Sequence, residues 1–235
     1  PCLLLVSSTI DKKNKSYTME AVKKRKLPTS CAEGNCATFK GFTCKVMTMR
    51  IRVEDDDFPI LETERLWLRP LTPADTDFVF QHFSDPAVTQ YLMDEPPVTA
   101  YAQAEAIVQF YQNPAGKNYN RWGLIRKSDQ QLIGTCGYHK WEKRYCRAEI
   151  GYDLGVNFWG HGYMAEALRI VLHHGFACMN LNRIEALVYV GNDRSLRLLR
   201  QLGFKQEGVL RDYFYLAGKF YDHALLSLLR REWHV

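Results

Sequence analysis

The sequence lacks several features that would place it in other classes of protein. Its 235 residues contain no apolar run of about eighteen residues, so we predict no transmembrane helix and no membrane partner. The opening apolar stretch, 2–6, is short and has no cationic segment before it, so we expect no signal peptide and a cytoplasmic location. The seven cysteines are an odd number without zinc-like spacing, which favours reduced thiols and no metal.

Basic residues are concentrated at one end of the chain. Residues 1–49 hold nine lysines and arginines against three acids, a net charge of +6. Residues 50–235 hold 22 against 23, a net charge of −1. The main part of the chain therefore offers no electrostatic case for nucleic acid, and any such partner would bind through the 1–49 extension.

The first 57 residues read differently from the rest. From 11 to 45 there is no sustained helical or strand period, so we predict a basic extension, 1–57, that is disordered or loosely attached. Its basic run, 23–26, is either a solvated charge run or a patch for nucleic acid or a membrane surface. Met47 and Met49 stand just before the first clear pattern, and one hypothesis is that translation begins there and 1–46 is not native.

After residue 58, segments with a strand period alternate with segments that have a helical period. The pattern predicts helices at 72–82, 85–87, 99–112, 162–179 and 192–202, and strands at 61–69, 122–126, 132–138, 147–154, 183–190, 213–215 and 222–229. This alternation indicates an α/β sandwich with a mixed sheet.

A Gly-x-Gly segment, 160–162, lies between the strand at 147–154 and the long amphipathic helix that follows. Glycine lets the backbone turn tightly and come close to a ligand. The first amides of the helix have no partners within it, and with the helix dipole they form a site for phosphate oxygens. A plain strand-to-helix turn is the alternative for this segment.

Seven local patterns occur in a fixed order and resemble the GNAT superfamily of N-acetyltransferases, RimJ/RimL type. They are the segments 61–69, 133–134, 149–154, 159–167, 192–195, 202–204 and 207–211. The resemblance covers about 60–235 and implies an acetyltransferase domain at 58–235. It also implies the GNAT fold, an α/β (α+β) architecture: a mixed, mostly antiparallel sheet, splayed open between two parallel strands, with helices on both faces.

The resemblance further implies that acetyl-CoA is the co-substrate and that it lies in the splayed wedge. The backbone amides of the Gly-x-Gly segment would hold its pyrophosphate. The expected contacts are Leu154, Val156, Trp159, Gly160, His161, Gly162, Tyr163, Met164, Asn192 and Ser195. His161 is also interpreted as solvent-facing. Met164 stands where the family usually has glycine or alanine, and since the amides bind, a side chain pointing away does no harm.

Three residues are predicted to carry the chemistry. Glu149 is the candidate general base, directly or through water, and the alternative is a surface carboxylate paired with Arg147 or Lys143. Asn192 either hydrogen-bonds the cofactor or an ordered water, or caps a helix. Ser195 either donates to the leaving sulfur or caps the same helix.

The family's usual thiolate-protonating tyrosine is absent. Leu199 occupies its position, so a tyrosine acid is excluded there. Ser195, another tyrosine such as Tyr138 or Tyr215, or solvent must then protonate the thiolate.

The predicted function is transfer of an acetyl group from acetyl-CoA to a primary amine, by direct attack in a ternary complex. The first choice of acceptor is the N-terminal α-amine of a protein or peptide. The alternatives are a small amine (aminoglycoside, polyamine or amino acid), a non-catalytic acyl-CoA-binding module and, last, an RNA-associated protein. We expect a monomer or a homodimer.

Overall fold

A computed structural model describes residues 4–11, 16–23, 50–51, 58–92 and 95–234. Its main feature is a nine-stranded sheet with the order β10-β11-β9-β8-β7-β6-β5-β4-β3. The strands are β3 (Arg50–Ile51), β4 (Leu61–Glu62), β5 (Leu66–Pro70), β6 (Trp122–Arg126), β7 (Gln131–Glu142), β8 (Arg147–Leu154), β9 (Arg183–Tyr189), β10 (Lys205–Leu216) and β11 (Lys219–Leu229). All neighbours pair antiparallel except β8 and β9, which are parallel.

Five helices accompany the sheet in the described residues. They are α1 (Thr76–Ser84), α2 (Pro86–Thr89), α3 (Tyr101–Tyr111), α4 (Tyr163–Ala177) and α5 (Asp193–Gln201). Each begins within four residues of the predicted start, and proline or a capping side chain marks the starts of α1, α2 and α5 in the sequence. Gly203, with φ +93, follows α5 in the left-handed conformation that commonly ends a helix.

The two faces of the sheet carry two separate buried clusters, as the alternation of side chains along a strand requires. Leu124 of β6 faces the larger cluster, which contains the buried side of α4 and Leu196 and Leu199 of α5. Its neighbour Ile125 faces the smaller cluster, with Val79 of α1 and other residues of α1 and α3. Helices therefore cover both faces, as the resemblance implied.

The last antiparallel pair differs from its prediction. The sequence predicted a strand only at 213–215, whereas β10 begins at Lys205. Nearly all of β10 is exposed at the edge of the sheet, so its sequence has no alternation of apolar and polar residues to reveal it. Its pairing with β11 forms the strand instead.

The amino-terminal region contributes a separate pair of strands, β1 (Leu4–Asp11) and β2 (Ser16–Lys23), which run antiparallel. The short strand β3 joins the main sheet beside β4. Residues 24–49 lie outside the described residues, and with them all of the basic run at 23–26 except Lys23. The cysteines at 2, 31, 36 and 44 also lie outside the described residues. The separate character and native status of 1–57 stay predictions.

The parallel pair is short, and this sets up the site. In the described part of the chain, β8 and β9 pair only from Arg147 and Arg183 to Glu149 and Glu185. Beyond that point β8 continues to Leu154 and β9 to Tyr189 without further pairing between them. The sheet therefore opens into a wedge between the carboxyl ends of these two strands.

Candidate active site

The Gly-x-Gly segment forms an open turn at one end of the wedge, which we call the cradle (159–164). Gly160 and Gly162 have φ angles of +79 and +77, a region that residues with a Cβ adopt at a cost. The first helical hydrogen bond of α4 runs from the Glu166 amide to the Gly162 carbonyl, at 3.0 Å. The amides of 163–165 precede that bond and have no carbonyl one turn earlier to receive them.

A partly buried clamp fixes the cradle to the turn between β4 and β5. The Glu166 carboxylate accepts hydrogen bonds from the Thr63 hydroxyl at 2.6 Å, the Arg65 amide at 2.8 Å and Arg65 Nε at 2.6 Å. Arg65 Nη1 also donates to the His161 carbonyl at 3.0 Å, and its guanidinium lies 4.5 Å from the Tyr163 ring centre. Arg65 therefore connects the carboxylate directly to the cradle backbone.

Burial and hydrogen bonding act in opposite directions on Glu166. Burial by itself raises the pKa of this carboxyl, but the hydrogen bonds from Thr63 and Arg65 outweigh it, and the pKa falls below its usual value. The sequence placed Arg65 and Glu166 in two separate family segments and assigned neither a role. Only the fold shows that they meet, 101 residues apart.

The side chains around the cradle mostly point away from its amides. Met164 is buried in the core, so its length does not obstruct the turn. Trp159 Nε1 donates to the Leu154 carbonyl at 2.8 Å, and the Trp159 amide donates to the Val156 carbonyl at 3.1 Å. His161 is exposed, with Nδ1 2.8 Å from the Trp159 carbonyl. The residues from 159 to 164 that were predicted to contact acetyl-CoA therefore form one continuous turn.

Glu149 lies at the last paired position before the wedge opens. Its Cα pairs with Glu185 of β9, and its carboxylate is 2.9 Å from Lys140 Nζ. The sequence suggested Arg147 or Lys143 as the alternative partner. In the structure Arg147 pairs with Glu142, and the ammonium of Lys143 lies over the Trp141 ring. Glu149 retains 22% exposure, and because its neighbours Ala148 and Ile150 face the core under α4, it points to the other side of the sheet.

Asn192 and Ser195 lie together at the start of α5. Asn192 Oδ1 accepts a hydrogen bond from the Ser195 amide at 3.1 Å, so its oxygen caps the helix. The Ser195 hydroxyl is 2.7 Å from the hydroxyl of Tyr152, which comes from β8 on the other side of the wedge. Tyr152 is a site residue that the sequence interpretation missed, although it stands three positions after Glu149.

The tyrosines named as possible thiolate acids are not in the wedge. Tyr138 is fully buried, and its hydroxyl donates to the Val171 carbonyl of α4 at 2.9 Å. Tyr215 is 62% exposed and packs on Phe220 beside the β10–β11 turn. Leu199 is completely buried in the core. The hydroxyl of Tyr138 and the ring of Tyr215 therefore contact other residues than Ser195.

Aromatic residues line the side of β9 and β11 that faces away from α4, and we call this side of strands β8 to β11 the acceptor face. The Tyr189 ring stacks against Tyr91, from the segment after α2, at 6.3 Å between centres, and it contacts Tyr221 and His223. Ile184, Ala186 and Val188 of β9 belong to the core under α4, so Glu185 and Tyr189 point to the other side, as Glu149 does.

The carboxylates of the acceptor face are also paired. Arg183 contacts Glu185 at 2.6 Å and holds both oxygens of Glu207, at 2.7 and 2.6 Å. The hydrogen bonds from Arg183, with a further one from Ser227, lower the pKa of Glu207 to about 2. The acceptor face is therefore polar and aromatic, and its acids are neutralised by neighbouring bases.

A second buried polar group supports β8 just before the cradle. Asp153 receives His82 Nε2 and Arg121 Nη1, each at 2.7 Å, and the Thr135 hydroxyl at 2.6 Å. Burial raises the pKa of Asp153, and these partners, His82 first, bring it below its usual value. Burial and then the Arg121 charge lower the pKa of neighbouring His139 to about 3, so His139 is neutral near pH 7.

Two kinds of feature are absent from the described residues. No group of three or more His, Cys, Asp or Glu side chains is arranged to hold a metal ion there. No helix in that part of the chain has the length and apolar character needed to span a membrane.

Comparison with known proteins identifies what the chain is similar to. Residues 65–205 match the family described as Acetyltransferase (GNAT) domain. The N-acetyltransferase p20 of Bacillus licheniformis is 43% identical over 174 residues, which cover 74% of this chain and 97% of that protein. The ribosomal protein uS5-alanine N-acetyltransferase of Escherichia coli is 31% identical over 113 residues, covering 48% of this chain and 58% of that protein.

A solved structure shows the same fold. The spermidine N-acetyltransferase from Vibrio cholerae, crystallised in complex with CoA and spermine, superposes with a TM-score of 0.65 at 21% identity. The match covers 72% of this chain and 98% of that chain. The predicted fold class and the resemblance stated from the sequence motifs are thereby confirmed.

Proposed function

The chain belongs to the GNAT family of acetyl-CoA-dependent N-acetyltransferases, and on that premise we propose that its acceptor is the N-terminal α-amine of a protein or peptide. The observation that carries this proposal is the pairing of every carboxylate described above on the acceptor face. Glu149 is paired with Lys140, and Glu185 and Glu207 with Arg183.

This pairing bears on the charge of the acceptor. A polyamine carries several positive charges, and a site for it needs carboxylates that are free to pair with them. Arg183 and Lys140 already occupy these carboxylates and would repel a second cation nearby. An N-terminal α-amine is a single basic group, and the rest of the peptide can pack on aromatic rings such as Tyr189 and Tyr91.

The donor side of the wedge fits acetyl-CoA. The left-handed glycines leave the cradle backbone open: an added Cβ at Gly160 would meet no other atom within 4 Å. The amides at the start of α4 point into that space and suit a diphosphate. Residues of the cradle would hold the donor there, with Leu154 and Val156 leading into it and Asn192 and Ser195 across the wedge. Bound acetyl-CoA supplies an activated thioester.

Glu149 is proposed as the general base. It lies at the mouth of the wedge with partial exposure, so it can take a proton from the incoming amine directly or through one water. The Lys140 contact keeps the carboxylate in place. Positioning of the two reactants supplies much of the acceleration, and a positioned base adds roughly 10²–10⁴-fold.

The pKa of the acceptor's amine also favours this assignment. An α-amine has a pKa of about 8 and is partly neutral near pH 7, whereas a lysine amine near 10.4 is mostly charged. A single carboxylate base therefore suffices for an α-amine. Asn192 is proposed to direct its side-chain amide toward the donor or an ordered water, because its oxygen is occupied by the α5 cap.

The test is acetyl transfer to matched acceptors, with the product located by mass spectrometry. One peptide has a free α-amine and an internal lysine, and its control is the same peptide with the α-amine blocked. Spermidine, an aminoglycoside and a free amino acid complete the panel. We expect acetylation of the free α-amine, with the blocked peptide left unmodified.

A different pattern would overturn the assignment. If spermidine or another small amine is acetylated with a kcat/KM above that of every peptide tested, the acceptor is a small amine. If the blocked peptide is acetylated on lysine as fast as the free one, the α-amine is not the preferred acceptor.

A further inference from the structure

One hydrogen bond crosses the wedge between its two walls. The Tyr152 hydroxyl, from β8, lies 2.7 Å from the Ser195 hydroxyl, on the first turn of α5. Both side chains are half-buried. Since β8 and β9 no longer pair beyond Glu149, this contact stands where the wedge has opened.

The position on α5 is informative. Ser195 and Leu199 are four residues apart and lie on one face of the helix. Leu199 brings no proton donor to that face, since its side chain is a hydrocarbon, and it is fully buried in the core. Tyr152 of β8 instead brings a phenol hydroxyl to this helix face, at Ser195, which is one helical turn before Leu199.

The two hydroxyls have one more hydrogen to donate than the bond between them uses. A serine or tyrosine hydroxyl has one hydrogen to donate and can accept two bonds. Whichever hydroxyl donates in the Tyr152–Ser195 bond, the other keeps its hydrogen for a further acceptor. Burial raises the pKa of Tyr152 above its usual value despite the bond to Ser195, so the phenol keeps its proton at neutral pH.

From this geometry we propose that Tyr152 and Ser195 act as one acid, in which Tyr152 orients Ser195 and restores its proton as the thiolate leaves. The proposal rests on the acetyl-transfer chemistry of the proposed function but not on the identity of the acceptor. It assigns Tyr152 as a positioning and proton-supplying residue behind Ser195.

The two faces of β8 keep this acid apart from the base. Ala148, Ile150 and Tyr152 face the core under α4, and Glu149 faces the acceptor side, because successive side chains alternate. A bond forms between the acceptor nitrogen and the acetyl carbon while the carbon–sulfur bond breaks. The amine proton leaves to Glu149, and Ser195 gives a proton to sulfur. Ser195 regains a proton from Tyr152, and solvent reprotonates Tyr152.

The test compares Tyr152→Phe, Ser195→Ala and the double variant in the full chain. We expect each single variant to lower kcat about 100-fold with little change in the KM for acetyl-CoA. We expect the double variant to be no slower than the slower single variant, because the two hydroxyls act as one unit. Ser195→Thr, which keeps a hydroxyl, should recover a large part of kcat.

A second readout does not depend on turnover or on the acceptor. The thiol of bound CoA is titrated by its ultraviolet thiolate absorbance. A hydroxyl that donates to sulfur stabilises the thiolate, so the pKa of the bound thiol should rise by about one pKa unit in Tyr152→Phe. Tyr215→Phe, which removes an exposed hydroxyl outside the wedge, is the matched control and should leave both readouts unchanged.

The outcomes separate the two proposals. A Tyr152→Phe variant whose kcat and bound-thiol pKa both equal the wild-type values would overturn the role of Tyr152. Multiplicative losses in the double variant would also overturn it, because they show independent hydroxyls. If the bound-thiol pKa rises as expected while no peptide α-amine is acetylated, the acid pair stands and the proposed acceptor fails.

Discussion

The cradle and the acceptor face lie on either side of the same wedge, and they are built from different parts of the chain. The cradle presents backbone amides, held by two left-handed glycines and by a partly buried clamp from Arg65 to Glu166. The acceptor face presents side chains: the rings around Tyr189 and carboxylates paired with Lys140 and Arg183.

This difference has a consequence for recognition. A backbone surface with fixed φ angles can bind one shape of ligand, because few side-chain changes alter it. A surface of rings and ion pairs changes with every substitution. The donor is therefore shared across the family, whereas the acceptor must be established for each chain. Four substitutions, taken from the largest expected effect to the smallest, test whether the cradle and the acceptor face act independently.

The first substitution is Glu149→Gln, which removes the proposed base and keeps the side chain's shape. We expect kcat to fall by about 10²–10³-fold while the Kd of CoA stays unchanged, measured by steady-state kinetics and calorimetry. Glu185→Gln is the matched control, since Glu185 is the register partner of Glu149 but is already paired with Arg183. Equal losses in the two variants would show that Glu149 has no special role.

The second substitution is Gly160→Val, which places a branched side chain at φ +79 on the cradle. It should block the approach to the amides, and the loss of two hydrogen bonds to charged oxygens, about 3 kcal/mol, would weaken CoA binding about 100-fold. Gly116→Val is the control, because Gly116 has φ +71 and equally open space, outside the cradle. If both variants bind CoA equally well, the cradle does not hold the donor.

The third substitution is Glu166→Gln, which neutralises the clamp. We expect CoA affinity to fall about tenfold and the free energy of unfolding at pH 7 to fall by about 2 kcal/mol, measured by urea denaturation. The pKa of Glu166 is lowered in the folded chain, so its contribution is present above the unfolded pKa and is lost as pH falls through the folded one.

The variant should therefore differ from wild type most at neutral pH and least at acid pH. Glu105→Gln, at an exposed position on α3, is the control and should follow wild type throughout. A stability difference that does not shrink in acid would show that the charge of Glu166 is not what stabilises the clamp.

The fourth substitution is Tyr189→Leu on the acceptor face. Loss of its ring contacts, worth about 0.5–1.5 kcal/mol, should raise the acceptor KM about three- to tenfold and leave the Kd of CoA unchanged. Tyr215→Leu, at an exposed position near the β10–β11 turn, is the control. A change in CoA affinity as large as the change in acceptor KM would mean that the two halves are coupled.

Much of the fold and the donor half could be read from the sequence. The helix starts and the Gly-x-Gly turn depend on local features: proline and capping residues, apolar periodicity, and glycine where φ is positive. The parallel strand pair was expected only because of the family resemblance. The start of β10 was missed because an exposed edge strand depends on its partner and not on its own pattern.

The sequence by itself determined the alternation of helices and strands and a glycine-containing turn at 159–164, because those features act over a few neighbouring residues. Only the tertiary structure decided which distant groups meet: Arg65 with Glu166, Glu149 with Lys140, and Tyr152 with Ser195. These pairs depend on which strands adjoin and where β8 and β9 part. A side chain's partner across a sheet is set by register, which no single segment encodes.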